Sequence, residues 1–261
     1  MKIEVLYPEI CNLYGDLANI RYLKESIPDA TIIETSLKSV PEFVSSKVDL
    51  IYMGTTTEDG IRLVVNALSP YKEKLKELTA NGQLILLTGN AQDIFCIDID
   101  SDRDCFMYKT DSTSDGQSSN SSARHIDGLG IINAHVKYQM MNRHNSFFTG
   151  TFKEASESID IVGFKSIFGF AYDEPSNDQK ELFSKVRGNG RNPETELEGY
   201  RINNLMATHL TGPLLVLNPL FTKYLMKKLG FSGEPAHFES AMAAFNQRFK
   251  EFGNEHFDPN Y

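Results

Sequence analysis

The stretch Gln83–Phe95 reads QLILLTGNAQDIF and predicts a strand, a tight turn and a helix in direct succession. Its apolar run, Leu84–Leu87, shows no polar alternation, which is typical of a strand buried on both faces. The letters TGN interrupt the run, and apolar residues then resume at helical spacing. Such an elbow presents one side chain at the edge of a sheet, beside backbone N–H groups that can bind an oxyanion. That side chain is Thr88, and a threonine hydroxyl without a neighbouring base is a poor nucleophile.

The same alternation of strand and helix runs through the N-terminal part of the chain. Apolar segments at Lys2–Tyr7, Thr31–Thr35 and Asp49–Met53 predict strands, and helical spacing from Gly60 to Leu78 predicts a helix that breaks near Pro70. This order predicts an α/β fold with a mainly parallel central sheet flanked by helices. In such sheets, ligands bind beyond the C-terminal ends of the strands. Three predicted loops reach that edge: Asn12–Asp16, Gly54–Asp59 and Thr88–Gln92.

The C-terminal part predicts more strands and a final helix, without a repeat or a clear linker. The predicted strands are Leu129–Val136, Phe147–Phe152, Ile159–Phe164 and the extended segment Arg201–Thr211, and the helix lies within Pro235–Phe252. We therefore expect one domain over residues 1–261. A polar segment near 98–123 predicts a surface insertion loop, because it is dense in Ser, Asp and Gly.

Composition narrows the classes of function. A formal net charge of -9 disfavours a general nucleic-acid or anionic-membrane surface. No apolar run is long enough for a membrane span, and the N-terminus does not have a signal-peptide pattern. Three irregularly spaced cysteines indicate a reducing cytoplasm rather than a disulfide framework or a zinc site. The acidic run from Asp98 to Asp102 lacks the glycine and glutamate of an EF-hand loop, so we predict no metal and no cofactor.

Four ordered stretches together resemble one known family. They are LYPEICNLYGDLANI (Leu6–Ile20), the elbow Thr88–Gln92, GLGIINA (Gly128–Ala134), and the blocks VGFKSIFGFAY and VRGNGRNPETELEGYRINNLMATHLTGPLLVLNP between Val162 and Pro219. The family is that of the CobB/CobQ-like class I glutamine amidotransferases, which have a flavodoxin-like fold. Within it, the chain is most similar to the GatD-type subunits, which pair with the Mur-ligase-like MurT.

The resemblance assigns roles to particular positions of this chain. The family attacks the side-chain amide of glutamine with a cysteine thiolate, assisted by a histidine and an oxyanion hole. Here Thr88 stands at the nucleophile position of a Cys-Gly-Gly-Tyr-Gln motif, and Thr211 at the histidine position of TYLHGP. Gly54 opens a loop, GTTTED, in place of a glycine-rich one. The remaining expected pocket residues are Asn12, Asp16, Gly89, Gln92 and His209.

Simpler roles remain open for several of these residues. Asp16 is equally consistent with a cap on the first helix, and Gln92 with a bond to the local backbone. His209 stands at the family's tyrosine position, and we expect a packing histidine or one exposed at the cleft rim. Cys96 should be buried in the elbow helix, and Cys11 should lie near the same sheet edge as Thr88.

The favoured functional hypothesis is a homologue without glutaminase activity, since the cysteine and histidine positions are both threonine. It would serve as a scaffold or regulatory subunit of a MurT-like ligase, or bind glutamine or another small ligand. The alternative is an active subunit that supplies ammonia to a ligase acting on a cell-wall precursor or a corrinoid carboxylate. A plain ligand-binding module is a third hypothesis. Family resemblance alone leaves peptidoglycan and cobalamin biosynthesis both open.

Overall fold

A computed structural model describes residues 1–106, 124–155 and 157–254 of the chain. The strands are β1 (Lys2–Leu6), β2 (Thr31–Thr35), β3 (Leu50–Met53), β4 (Leu84–Thr88), β5 (Asp98–Ser101), β6 (His125–Asp127), β7 (Ala134–Tyr138), β8 (His144–Glu154), β9 (Glu157–Ile167), β10 (Gly169–Asp173), β11 (Phe183–Arg187), β12 (Leu197–Glu198), β13 (Tyr200–Ile202) and β14 (Leu205–Thr208). The helices are α1 (Leu17–Ser26), α2 (Glu42–Ser45), α3 (Glu58–Leu68), α4 (Lys72–Ala80), α5 (Ala91–Ile94), α6 (Leu214–Leu217), α7 (Pro219–Lys228) and α8 (Phe238–Phe252).

The central sheet has six strands in the order β13-β14-β4-β3-β1-β2 and is parallel except for the β13–β14 pair. This confirms the predicted α/β fold. In β3 and β4, Ile51 and Ile85 pack into one apolar core, while Leu50 and Leu84 pack into a second core on the opposite face. Burial on both faces explains why these strands have continuous apolar runs. Because β1, β3 and β4 are parallel, the loops that follow them meet at one edge.

Two further sheets of four strands each extend the fold, in the orders β10-β7-β5-β6 and β12-β11-β8-β9. The prediction of a surface loop near 98–123 is wrong at its start. There, Asp98–Ser101 form β5, which pairs with β6 and β7. Ile99 is fully buried, and the flanking aspartates make this short strand resemble a polar loop in the sequence. Residues 107–123, which include most of that predicted loop, lie outside the described residues.

The predicted strand Leu129–Val136 is also wrong in its first half. The structure places β7 at Ala134–Tyr138, and the preceding residues form a loop. Backbone N–H groups of this loop donate to carbonyls at the end of the elbow helix: Leu129 to Ile94 at 2.9 Å and Gly130 to Cys96 at 2.8 Å. These apolar residues therefore cap the elbow segment instead of extending the sheet.

A surface histidine on the second sheet predicts a pH-dependent stability. Hydrogen bonds that the His125 ring donates to Asp100 (2.7 Å) and to Asp127 (3.2 Å) raise the pKa of His125, against the opposing effect of burial. A pKa that is raised on folding contributes stability below the unfolded value, roughly 6.5, and that contribution is lost as pH rises through the folded value. We expect the urea midpoint to fall from pH 5.5 to pH 8 less steeply in His125→Gln than in the wild type. Identical slopes would contradict this role.

Candidate functional site

A narrow cleft lies at the C-terminal edge of the central sheet, where the predicted loops meet. Thr55, Gly89 and Thr211 line it, together with Asn90 and Asp93 of the elbow. Its volume is about 50 Å³, against roughly 300–1,000 Å³ for typical small-molecule sites. The cleft is therefore in the predicted place but is much smaller than an ordinary ligand pocket.

Thr88 does not present its hydroxyl to this cleft. The residue is fully buried, and its Oγ1 donates to Asp16 Oδ2 at 3.0 Å. The hydroxyl of Tyr52 lies 3.0 Å from the same Oγ1 and donates to the carbonyl of Asp16 at 3.0 Å. A hydroxyl has one proton to donate, and here that proton points to a buried carboxylate rather than to a base beside a substrate.

Asp16 is the centre of the hydrogen bonds beneath the cleft. Besides Thr88, the backbone N–H and the hydroxyl of Thr55 donate to its Oδ2 at 2.7 and 2.6 Å. Burial raises the pKa of Asp16, and the hydrogen bonds from Thr55 and Thr88 oppose that shift. Its side chain makes no capping hydrogen bond to α1, so the capping alternative is wrong. Asp16 instead fixes the loop after β3 to the elbow after β4.

Three backbone N–H groups at and near the elbow are engaged within the protein. Gly89 donates to the carbonyl of Leu210 at 3.3 Å, and Thr55 donates to Asp16. Thr56 donates to Asn90 Oδ1 at 2.9 Å, while the Asn90 amide donates back to the Thr56 carbonyl at 2.8 Å. An oxyanion hole needs free donors that point at the reacting oxygen. These three donors point at internal acceptors.

Thr211 lines the cleft, but it makes no hydrogen bond to Thr88 among the described residues. Its hydroxyl and its backbone N–H both donate to the carbonyl of Phe164, at 3.0 and 2.9 Å. The two threonines that the sequence resemblance predicts at catalytic positions therefore do not form a nucleophile–base pair. Each is satisfied by a separate internal partner.

His209 forms a buried pair that sequence reasoning missed. It is fully buried rather than at the rim, and its Nε2 lies 2.6 Å from Asp93 Oδ1. The hydroxyl of Tyr138 donates to Asp93 Oδ2 at 2.7 Å. The Gln92 amide nitrogen lies 3.3 Å from His209 Nε2. The Gln92 side chain therefore contacts this ring, and the predicted bond to the local backbone is wrong. A single charged residue in the short elbow helix was the available sequence signal for Asp93.

The Asp93–His209 pair adjoins a buried ion pair between Lys165 and Glu198. Glu198 Oε1 accepts from the backbone N–H of His209 at 2.9 Å and from the hydroxyl of Thr208 at 2.8 Å. Its other oxygen accepts from Lys165 Nζ, and both side chains of that ion pair are fully buried. A continuous set of buried polar groups therefore extends from the cleft floor to the third sheet.

The remaining predicted pocket residues have structural roles. The Asn12 amide donates to the carbonyl of Pro8 at 2.6 Å, and Asn12 is not among the residues that line the cleft. A Cβ at Gly54 would lie 2.9 Å from the Cβ of Asp16, so glycine permits this close packing. Cys11 and Cys96 are buried, and burial raises the pKa of both thiols, which disfavours the reactive thiolate.

The described residues lack a metal-binding cluster and a helix that could span a membrane. Residues 1–106, 124–155 and 157–254 contain no group of three His, Cys, Asp or Glu side chains arranged to hold a metal ion. In the same ranges no helix combines the length and apolar character needed to cross a membrane.

Comparison with known proteins identifies similar chains. The chain is 26% identical over 242 residues to the GatD subunit of the glutamine-hydrolysing lipid II isoglutaminyl synthase of Streptococcus pneumoniae, covering 88% of this chain and 82% of that one. It is 28% identical over 222 residues to the corresponding subunit of Staphylococcus aureus, covering 83% and 79%. No protein-family model matches the chain.

A solved structure supports the fold. The crystal structure of a glutamine amidotransferase superposes with a TM-score of 0.50 at 11% identity, covering 87% of this chain and 98% of that one. This likeness concerns the fold alone, whereas the GatD similarity and the ordered motifs concern the sequence. Together, the similarity to the two GatD subunits and the likeness in fold support a GatD-like class I glutamine amidotransferase.

Proposed function

We propose that this protein is a GatD-like subunit without glutaminase activity, which acts as a scaffold or regulatory subunit of a Mur-ligase-like partner. The observation that carries the proposal is the buried hydroxyl of Thr88, which donates its proton to Asp16. A nucleophile must reach the substrate and pass its proton to a base. Thr88 meets neither condition in this structure.

The surroundings of Thr88 also favour an inactive site. The residue at the histidine position, Thr211, bonds to Phe164 and has no imidazole to take up a proton. The N–H groups of Gly89, Thr55 and Thr56 are bonded to internal acceptors. Removing one oxyanion donor alone typically costs roughly 10²–10³ in kcat. The combined absence of the thiol, the base and these three donors would leave no practical route to glutamine hydrolysis.

The relatives support the choice of partner. Both are subunits of an enzyme named lipid II isoglutaminyl synthase, and the chain covers about four-fifths of each. A ligase-type partner of the MurT kind is therefore the natural partner to test. The lipid II context of these relatives favours a cell-wall precursor over a corrinoid as the partner's substrate.

The test measures ammonia release from glutamine by the protein purified with its copurifying chains. Wild type and Thr88→Ala are both expected to match an enzyme-free blank, because Thr88 does not act as a nucleophile. The pneumococcal relative, assayed with its own partner, serves as the active reference. Copurifying chains are identified by mass.

Release by the wild type that is lost in Thr88→Ala would overturn the proposal and make Thr88 the nucleophile. A silent wild type that copurifies with a ligase-type chain is the expected result. A silent protein without such a chain, after expression in its own cells, would contradict the scaffold role. Circular dichroism of Thr88→Ala checks that the variant is folded.

A further inference from the structure

One outer strand of the central sheet is left open within the described residues. The three sheets have six outer strands, and five of them form a hydrogen bond between a backbone group and a neighbouring segment. These bonds join Arg201 of β13 to Lys180, His125 of β6 to Arg62, Ala171 of β10 and Leu197 of β12 to Arg191, and Phe164 of β9 to Thr211. Within residues 1–106, 124–155 and 157–254, only β2 pairs on one side and has no such bond on the other.

The register of β2 shows which of its backbone groups point outward. The N–H of Thr31 donates to the carbonyl of Met1 at 2.8 Å, on the side of β1. Backbone groups of successive residues alternate between the two edges of a strand. The N–H and C=O groups of Ile32 and Glu34 therefore point away from the sheet, where a further strand can bind them.

The sequence of this strand does not protect its open edge. Proteins usually protect such an edge with lysine, proline or a β-bulge, or cover it with another segment. β2 reads TIIET and pairs with β1 in an unbroken register. We infer that β2 pairs in antiparallel orientation with β2 of a second copy of this chain, which forms a two-fold symmetric dimer with a continuous central sheet.

The strand is complementary to itself in this orientation. A two-fold axis at Ile33 places Ile32 opposite Glu34 of the second copy, so that each such pair exchanges its outward N–H and C=O groups. Ile33 then lies beside Ile33 of the second copy on the other face, and an aliphatic pair at this spacing is favourable. A shift that places Glu34 opposite itself would bring like charges together, which is unfavourable.

The charges at the two ends of β2 are also complementary. Ile32 packs against the core beneath α1, and Glu34 lies on the same face because it is two residues further along the strand. Lys24 of α1 donates to the carbonyls of Pro28 and Ala30 at 2.6 and 2.7 Å, so its ammonium group lies beside the start of β2. Antiparallel pairing brings the start of one β2 to the end of the other. Lys24 of each copy then lies diagonal to Glu34 of the other, within reach of a long side chain.

A groove beside the end of β2 offers space for the lysine side chain of the second copy. Leu17, Glu9 and Glu34 line it, so that an apolar side chain and two carboxylates meet there. Glu34 is exposed and has no ion pair in the part of the chain that the structure describes. The same edge therefore supplies both the cation and its acceptor, which favours a second copy over an unrelated strand as the occupant.

The dimer goes beyond the proposed function, because it requires neither glutamine hydrolysis nor its absence. The cleft lies at the loops after β3 and β4, and β1 separates these strands from β2. Since β2 has only five residues, the interface is at the small end of specific interfaces, and we expect dimerisation at micromolar concentrations.

Sedimentation and amide hydrogen exchange of the full chain test the dimer. Across the micromolar range, the mass is expected to rise with concentration from 29.4 kDa towards twice that value. In ¹⁵N-labelled protein, the amides of Ile32 and Glu34 should be protected from exchange at high concentration and unprotected after dilution. The amide of Thr31 is the internal control, because it bonds to Met1 within one chain and should be protected at both concentrations.

Charge variants test the pairing itself. Glu34→Lys is expected to weaken dimerisation by about tenfold or more, because both symmetric contacts with Lys24 become repulsive. Glu73→Lys is the matched control: it makes the same change of charge at a side chain of α4 that is 82% exposed, and it should dimerise like the wild type. A Lys24→Glu, Glu34→Lys double variant exchanges the two charges and should recover dimerisation. Circular dichroism checks that each variant is folded.

A chain that is monomeric at every concentration would overturn the inference, as would a dimer in which the amides of Ile32 and Glu34 exchange freely. Unchanged dimerisation of folded Glu34→Lys, or no recovery in a folded double variant, would overturn the inferred pairing. Protection of these amides only after a ligase-type chain is added would show that the occupant is that chain and not a second copy. Glutaminase activity would overturn the proposed function and leave the dimer unaffected.

Discussion

A Lys165→Met variant is expected to lose about 3–5 kcal/mol of unfolding free energy, because it removes one partner of a buried ion pair. Lys165 and Glu198 are both fully buried, and Lys165 also donates to the carbonyl of Gly190 at 2.8 Å. Burial by itself would raise the pKa of Glu198, but the charge of Lys165 holds it below its ordinary value. Without Lys165, Glu198 is left charged and uncompensated, or it takes up a proton at a cost in free energy.

Urea denaturation of the wild type and the variant measures this difference. Lys227→Met is the matched control, because Lys227 pairs with Glu157 in an ion pair whose side chains are 72% and 35% exposed. Surface pairs contribute about 0–1 kcal/mol. A Lys165→Met, Glu198→Leu double variant should recover part of the loss, since no unpaired charge remains. If Lys165→Met loses no more unfolding free energy than the control variant, Lys165 does not compensate the buried charge of Glu198, and the prediction is wrong.

The central sheet was predictable because its signal is local. The run Leu84–Leu87 and the segment Thr31–Thr35 are strands in the structure, and the turn at Gly89 follows where the elbow requires it. Burial on two faces leaves a continuous apolar run, and alternating helices fix a parallel arrangement. These features need no knowledge of distant contacts. They also place the cleft at the correct edge of the sheet.

The contents of the cleft were not predictable in the same way. Asp93 and His209 are separated by 116 residues in the chain, yet their side chains lie 2.6 Å apart. The strand Asp98–Ser101 has one buried apolar residue, Ile99, and depends on pairing with β6 and β7. Such features depend on partners that are remote in sequence. The direction in which the Thr88 hydroxyl donates likewise depends on Asp16, from a different loop.

Thr88 and Thr211, which the resemblance predicts at catalytic positions, have one physical property in common. Thr88 and Thr211 each find an internal acceptor, Asp16 and the carbonyl of Phe164 respectively. A buried hydroxyl without a partner is costly, and one with a partner stabilises the fold. These hydrogen bonds give both threonines a structural role at the positions that the resemblance predicts to be catalytic. This is why the test of function centres on whether Thr88 matters for ammonia release.

A Gly89→Ala variant is expected to lose about 3–5 kcal/mol of unfolding free energy, because strain and overlap act together at the elbow. Gly89 has a φ of +60°, and an added Cβ would lie 1.9 Å from Thr55 Oγ1. Thr55 is buried and donates to Asp16 at 2.6 Å, so it cannot rotate away without losing that hydrogen bond. Resolving the overlap would therefore disturb the contact between the elbow and the loop after β3.

Gly230→Ala separates the effect of backbone strain from the effect of steric overlap with the added Cβ. Gly230 has a similar φ of +82°, but nothing lies within 4 Å of its added Cβ, so a loss of about 1–2 kcal/mol is expected. Urea denaturation of both variants, beside the wild type, measures the two losses. Equal losses would show that the overlap with Thr55 is relieved without cost and that the elbow is looser than the structure indicates. A larger loss for Gly89→Ala would mean that the hydrogen bonds from Thr55 and Thr88 to Asp16 hold the loop and the elbow in a single rigid arrangement.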